Sequence, residues 1–386
     1  MVTLRELIPA AQRLRTSDIH IVCGLPIRVR IDGDLVDFPD CGDILTYEDC
    51  IGFASELTGL SPDRLGNIGE IDKAVTIEGL RCRVNVFCQQ GTWSIALRIL
   101  ADHIPDISVL GLPPIVSTFA DFPRGIVLVT GETGSGKSTT LAALLDKINH
   151  TRAKHIITLE DPVEYVYKPD KCTVCQREIG ADTESYDNGM RAILRQDPDI
   201  ILIGEMRGLD TIETALTAAE TGHLVFATLH TNSAADAIDR IVNVFPGDRQ
   251  SQIRMQLSTT LRAVLAQQLL PKKGGSGRVL ACEIMVVNSA IKNLIREGKT
   301  PQIANAITTS ANEGNISMDN HLIKLAKANL IAGEVAAGAA HEADYVRKSL
   351  GISSPLEGMP GMPGGPGMNG MGPKTAPGGI SRMGGR

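Results

Sequence analysis

Aromatic side chains are scarce: Phe, Trp and Tyr make up 3% of the 386 residues. Any core must therefore be built mainly from aliphatic groups. Positive charge is not in excess either. The net charge of −6 argues against a dedicated nucleic-acid binder, which carries a basic surface. No stretch approaches the roughly 18 uninterrupted apolar residues of a membrane span, so direct insertion into a bilayer is not expected. The opening residues, MVTLRELIPAAQRLRTSDIH, lack the pattern of a secretory leader and read as a charged amphipathic helix. The chain is thus expected to be cytoplasmic. The eight cysteines do not form a disulfide framework typical of small secreted domains, and most are expected to be reduced and buried. Cys172 and Cys175 form one C-x-x-C pair with no second pair nearby. A structural zinc site needs four ligands, and the pair is not placed at a thioredoxin-like helix start.

What is present is ordinary for a globular chain: 43% apolar and 21% charged residues, enough for a sizeable core in two or three domains. Residues 1–100 read as a small α+β unit. Alternating apolar residues in IHIVCGLPIRVRIDGDLVDF predict strands, with Asp32-Gly33 as a hairpin turn. A helix is expected from Tyr47, and two more strands in GLRCRVNVFCQQ and TWSIALRIL. Residues 101–122, with Pro105, Pro113 and Pro114, read as a linker. From residue 123 the pattern changes. The short apolar runs GIVLVT, HIITLE, DIILIG and HLVFATLH are separated by helix-like stretches, which predicts an α/β domain with a largely parallel sheet to about residue 350. QSQIRMQLSTTLRAVLAQQLL reads as helical throughout and opens an α-rich extension. Residues 351–386 form a Gly/Pro/Met-rich tail, expected to be disordered.

The strongest chemical signal is Gly131-Glu-Thr-Gly-Ser-Gly-Lys137-Ser138-Thr139, a complete G-x-x-x-x-G-K-[ST] phosphate loop between an apolar strand and a helix. Glycines let the backbone curl around a phosphate, and the amides and helix N-terminus attract its charge. Thr133, Gly134, Ser135, Gly136, Lys137, Ser138 and Thr139 are the expected nucleotide contacts. Lys137 would reach the β- and γ-phosphates of ATP, and Ser138 would bind Mg²⁺.

Hydrolysis also needs carboxylates. Glu160-Asp161-Pro-Val-Glu164 and Gly204-Glu205-Met-Arg207 each end an apolar run. The second has Gly204 where an Asp usually holds the Mg²⁺ shell. A division of labour follows: Glu205 positions the attacking water, and Glu160 or Asp161 supplies the carboxylate near Mg²⁺. His230 ends a third apolar run and is placed to sense the γ-phosphate.

Together these clusters resemble the secretion ATPase superfamily. ITLEDPVEY at 157–165 looks like its Asp box, ILIGEMR at 201–207 like its atypical Walker B segment, and AAETGHLVFATLHT at 218–231 like its His box. Within the superfamily the chain resembles the PilT group of pilus retraction ATPases. The segment Ala290-Ile-Lys-Asn-Leu-Ile-Arg-Glu297 nearly matches the group's AIRNLIRE motif, with Lys292 in place of Arg. The stretch from Gln176 to Asp199 and the opening SDIHIVCGLPIRVRIDG are also similar. Gly208, where the group has Asp, and Glu132, in place of a common Pro, depart from the pattern. The resemblance covers residues 3–345.

The resemblance implies a PAS-like N-terminal domain, a RecA-like ATPase domain and a ring of six chains. It also implies that ATP sits between the domains, with N-terminal arginines completing the site. Arg81, Arg83 and Arg98 are the candidates. The implied function is a hexameric motor that uses ATP and Mg²⁺ to retract type IV pili. It would be docked at the inner face of the cell membrane on a PilC-like platform protein. The rival readings are a related secretion or accessory pilus ATPase, a non-hydrolysing nucleotide-binding scaffold and a DNA translocase. The intact Lys137, Ser138, Glu160 and Glu205 weigh against the scaffold, and the acidic charge weighs against the translocase.

Overall fold

The computed structural model describes residues 2–14, 16–31, 34–39, 41–100 and 103–352. The turn expected at Asp32-Gly33 and the tail from residue 353 lie outside the described residues.

The first unit runs α1 (Leu4–Arg13), β1 (Asp18–Val22), β2 (Arg28–Ile31), β3 (Asp34–Asp37), α2 (Tyr47–Thr58), α3 (Pro62–Leu65), β4 (Glu70–Ile77), β5 (Leu80–Gln89) and β6 (Thr92–Ile99). Its strands form a six-stranded antiparallel sheet in the order β3-β2-β1-β6-β5-β4. Period-two alternation divides the sheet into two faces. Ile19, Ile21, Val29, Cys82, Val84, Val86, Ile95 and Leu97 turn to the side covered by α1 and α2. Arg83, Arg98 and Asp18 stand opposite one another on the other face. Helix α2 is closed at its start by reciprocal bonds between Thr46 and Asp49 and at its end by Gly59 in the left-handed region.

Residues 103–122 are not free of the body that follows. The 3₁₀ segment Pro114–Asp121 buries Val116, Phe119 and Ala120 against the next sheet and its first helix.

That body contains β7 (Gly125–Thr130), α4 (Lys137–Thr151), β8 (His155–Glu160), β9 (Thr173–Glu178), α5 (Tyr186–Ile193), β10 (Ile200–Ile203), α6 (Leu209–Glu220), β11 (Leu224–Leu229), α7 (Ala234–Asn243), α8 (Gln250–Thr260), β12 (Leu261–Pro271) and β13 (Arg278–Val286). They are followed by α9 (Ser289–Glu297), α10 (Ile303–Thr309), α11 (Met318–Lys327), α12 (Gly333–Gly338) and α13 (Ala343–Leu350). The seven strands pair in the order β13-β12-β7-β11-β10-β8-β9, parallel except for β13. Both faces are covered, which is why the central strands read as unbroken apolar runs. Val127, Val129, Ile200, Leu202 and Phe226 meet α4, while Ile126, Leu128, Ile201, Ile203 and Val225 meet the α5–α10 side. A separate small core joins α11, α12 and α13.

The structure corrects one expectation. The stretch from Gln250 is helical only to Thr260, and Leu261–Pro271 is a strand. Its Leu, Ala and Gln residues favour helix locally, but the segment is inserted between β7 and β13, where backbone pairing on both edges outweighs propensity. Strands β4 and β9, both rich in polar residues, gave no clear period in the sequence. The cysteines are all free; Cys50, Cys82, Cys172 and Cys282 are buried, while Cys88 and Cys175 are exposed.

Candidate active site

Parallel pairing of β7, β11, β10 and β8 brings their carboxyl ends to one edge, the usual ligand edge of an open α/β sheet. The phosphate loop leaves β7 at Thr130 and enters α4 at Lys137. Gly131 has φ 138°, and a Cβ there would lie 2.3 Å from the Gln267 carbonyl oxygen, so the close approach of β12 requires glycine. Lys137 Nζ donates to the carbonyls of Gly131 and Glu132 at 2.7 and 2.8 Å, which centres the ammonium on the loop. Burial pulls its pKa below the usual lysine value, against the charges of Glu205 and Glu164. Glu132, Thr133 and Gly134 are exposed, Gly136 has φ 92° at the start of α4, and Ser138 is exposed on the first turn. Ser135 Oγ is buried without a partner, as a group awaiting one would be. The Thr139 hydroxyl is 2.9 Å from that of Tyr165, which ties the helix to the segment after β8.

At the end of β10, Gly204 has no room for a side chain. A Cβ would sit 2.9 Å from the Tyr186 hydroxyl, 3.1 Å from the Leu159 carbonyl and 3.3 Å from Glu160 Cα. The missing Asp is thus explained by the tip of β8, which fills that space. Glu205 follows, with Arg207 Nη2 at 2.7 Å and His230 Nε2 at 3.5 Å from its carboxylate. Burial would raise the Glu205 pKa, but the bond and charge of Arg207, then the charge of His230, hold it below the usual carboxylate value.

Glu160 faces inward at the end of β8. Its Oε1 accepts from Thr158 Oγ1 at 2.6 Å and Gln176 Nε2 at 3.2 Å. Burial pushes its pKa up to about 7 despite those bonds. Asp161 is exposed on the adjoining turn. The two acids therefore occupy different surroundings, which their adjacency in sequence hides.

The three arginines differ in what they hold. Arg81 reaches the second unit: its Nη2 is 2.7 Å from Glu178 Oε2, and that same oxygen accepts from the Val163 amide at 3.2 Å. Arg83 pairs with Asp72 at 2.6 Å and Arg98 with Asp18 at 2.8 Å, both within the N-terminal sheet. Sequence reasoning did not single out Arg207, Gln176, Tyr165 or Gln267 as site residues. Only Arg207, two positions after Glu205, carried a usable signal.

A cavity of about 460 Å³ opens beside the loop, walled by Glu132–Ser135, Asn232, Gln267, Arg278 and His341. The volume is in the range of small-molecule sites.

Residues 2–336 match the family described as type II/IV secretion system protein. The chain is 43% identical over 335 residues to the type IV pilus retraction ATPase PilT of Pseudomonas aeruginosa, covering 86% of this chain and 96% of that protein. It is 47% identical over 256 residues to a twitching motility protein of Neisseria gonorrhoeae, covering 66% of this chain and 68% of that one. A solved structure of the pilus retraction motor PilT with bound ADP matches with a TM-score of 0.83 at 44% identity, over 90% of this chain and 100% of that one.

Proposed function

The chain belongs to the type II/IV secretion system protein family, among its PilT-type ATPases, and from that premise we propose that it is a motor that hydrolyses ATP to retract a type IV pilus. The observation that carries this reading is the meeting of Glu205 and His230, 3.5 Å apart, on the sheet edge that also bears the phosphate loop. In this reading Lys137 and the loop amides hold the β- and γ-phosphates. Glu205, kept ionised by Arg207, orients the attacking water. His230 contacts both that carboxylate and the terminal phosphate, so loss of the phosphate is felt at the start of α7.

Mg²⁺ belongs to the same reading. Among the described residues no group of three His, Cys, Asp or Glu side chains is set to hold a metal by itself. Ser138 and Glu160 would hold Mg²⁺, with Asp161 contributing from the turn. The ion would supply charge neutralisation of the phosphates.

We assign residues 1–100 to the PAS-like domain, 101–122 to the linker and 123–350 to the RecA-like ATPase domain with its helical extension. The working assembly in this reading is a homohexamer, docked at the inner face of the cell membrane on a PilC-like platform protein. The Arg83 and Arg98 side chains are 43% and 62% exposed in their ion pairs, and pairs at a surface contribute only about 0–1 kcal/mol. They are the arginines suited to engage nucleotide in a ring, whereas Arg81 fastens the two units of one chain.

The test is Mg²⁺-dependent ATPase activity with particle mass from light scattering, alongside twitching in a strain carrying Glu205→Gln. A hexamer that hydrolyses ATP, and loss of twitching in the variant, are expected. Normal twitching with Glu205→Gln would rule out ATP-driven retraction.

A further inference from the structure

Glu283 is a buried carboxylate that the reading above does not use. It lies on β13 and is 5% exposed. The register places it on one row with the ends of the catalytic strands: Leu229 pairs with Thr130, Thr130 with Ala266, and Ala266 with Glu283. Its Oε1 accepts a 2.8 Å bond from the amide of Ala234, the first residue of α7 and four positions after His230. The helix's own cap, Ser233, serves a different amide, that of Asp236. Glu283 therefore satisfies one of the amides that a helix start leaves open.

The other carboxylate oxygen looks the opposite way. Glu283 Oε2 is 3.8 Å from His341 Nε2, in the connection between α12 and α13. That connection is itself held by Asp319 on α11, which accepts from the amides of His341 and Glu342 at 2.8 and 3.0 Å. Asp319 is 8% exposed. Asn232, in the loop after His230, and His341 both line the cavity beside the phosphate loop. Burying a carboxylate is costly, and a pure packing role is filled as well by an apolar side chain. A carboxylate held between two separate segments has a use that an apolar group lacks, even though burial raises its pKa.

We propose that Glu283, together with His341, is a positioning residue that couples the phosphate-sensing loop 230–234 to the C-terminal helices α11–α13. One carboxylate serves the amide that opens α7 and, toward the C-terminal helices, both His341 and the amide of Met318 that opens α11. When nucleotide draws the loop and the Ala234 amide away, the carboxylate loses that donor and turns toward its remaining partners, His341 and the Met318 amide. The α12–α13 connection then moves with the nucleotide state, and by linkage its position alters the loop. This rests on the reading of His230 as the sensor of the terminal phosphate.

The test uses the full chain and a readout that needs no turnover: hydrogen exchange of residues 333–350 with and without ADP or a non-hydrolysable ATP analogue. Wild type should change protection there on adding nucleotide. Glu283→Gln keeps an oxygen for Ala234 and loses the charge. It should bind a fluorescent ADP within about twofold of wild type, lose the exchange response, and show kcat lowered about fivefold or more at unchanged KM. If that variant does not fold, His341→Ala, whose side chain is 39% exposed, is expected to lose the exchange response and the same share of kcat when both proteins are saturated with nucleotide. A folded variant with a wild-type exchange response or wild-type kcat overturns the coupling. A wild type that hydrolyses ATP with no response at 333–350 overturns it as well. A wild type that responds to ADP but never hydrolyses ATP supports the coupling and sinks the motor assignment instead.

Discussion

Two influences of opposite sign meet at Glu205. Burial favours the protonated acid, and the guanidinium of Arg207 with the imidazole of His230 favours the carboxylate; these two partners prevail. A base must be ionised to order water, so Glu205→Gln should lower kcat by about 100-fold or more while nucleotide binding survives. Steady-state rates and binding of a fluorescent ADP separate the two effects. Glu160 shows the reverse balance, with burial carrying its pKa to about 7. A folded-state pKa above the unfolded value means that the native state binds the extra proton. The stability linked to Glu160 is therefore full below the usual glutamate range and is lost as pH rises through about 7. Without Mg²⁺, the melting temperature of wild type should fall relative to that of Glu160→Gln as pH rises from 5 to 8, and added Mg²⁺ with nucleotide should reduce the difference. A constant difference between the two proteins across that range would contradict the burial argument.

Strands β8 and β10 decide what their tips are able to carry. Gly204 lies against the backbone of Leu159 and Glu160 as well as the Tyr186 hydroxyl. Restoring the more usual acid by Gly204→Asp should not restore a metal ligand. Overpacking of this kind costs about 1–3 kcal/mol and would displace Glu160 and Glu205 together. Thermal melts should show the loss of stability, and ATPase rates should fall rather than rise. The same dependence on neighbours governs β12. Read alone, its Leu, Ala and Gln residues continue the helix that precedes it. Paired with β7 and β13 they form a strand whose Gln267 donates to Thr140 at 2.9 Å, beside the phosphate loop. No periodicity in the sequence carries that outcome, because it depends in part on β7, more than a hundred residues away.

Across the molecule, Arg81 joins the N-terminal sheet to the segment that follows Glu160. Its guanidinium binds Glu178 through Nη2 and the Val163 carbonyl through Nε. Two directions of donation from one planar group favour arginine over lysine. Arg81→Ala should destabilise the chain by about 1–3 kcal/mol, and Arg81→Lys should recover only part of that loss. Faster proteolysis within 101–122 in the alanine variant would show that the bond restrains the N-terminal unit, while unchanged cleavage would show that the linker helix docking suffices. The docking of Phe119 and its neighbours on the second sheet is the competing restraint.

The phosphate loop was legible from the sequence because its chemistry is contiguous: glycines, lysine and hydroxyl stand within nine residues between a strand and a helix. The alternation of apolar runs and helices likewise determined the α/β class, since periodicity is a local property. Glu160 and Glu205 were legible only as candidate acids, each at the end of its own run. Tertiary structure alone decided that Glu160 turns inward while Asp161 is exposed, that Glu205 meets His230, and that Arg81, Arg83 and Arg98 have separate partners. The physical reason is register. Strands distant in sequence set which residues share a row and which edge they reach, and that pairing is not encoded within any one of them.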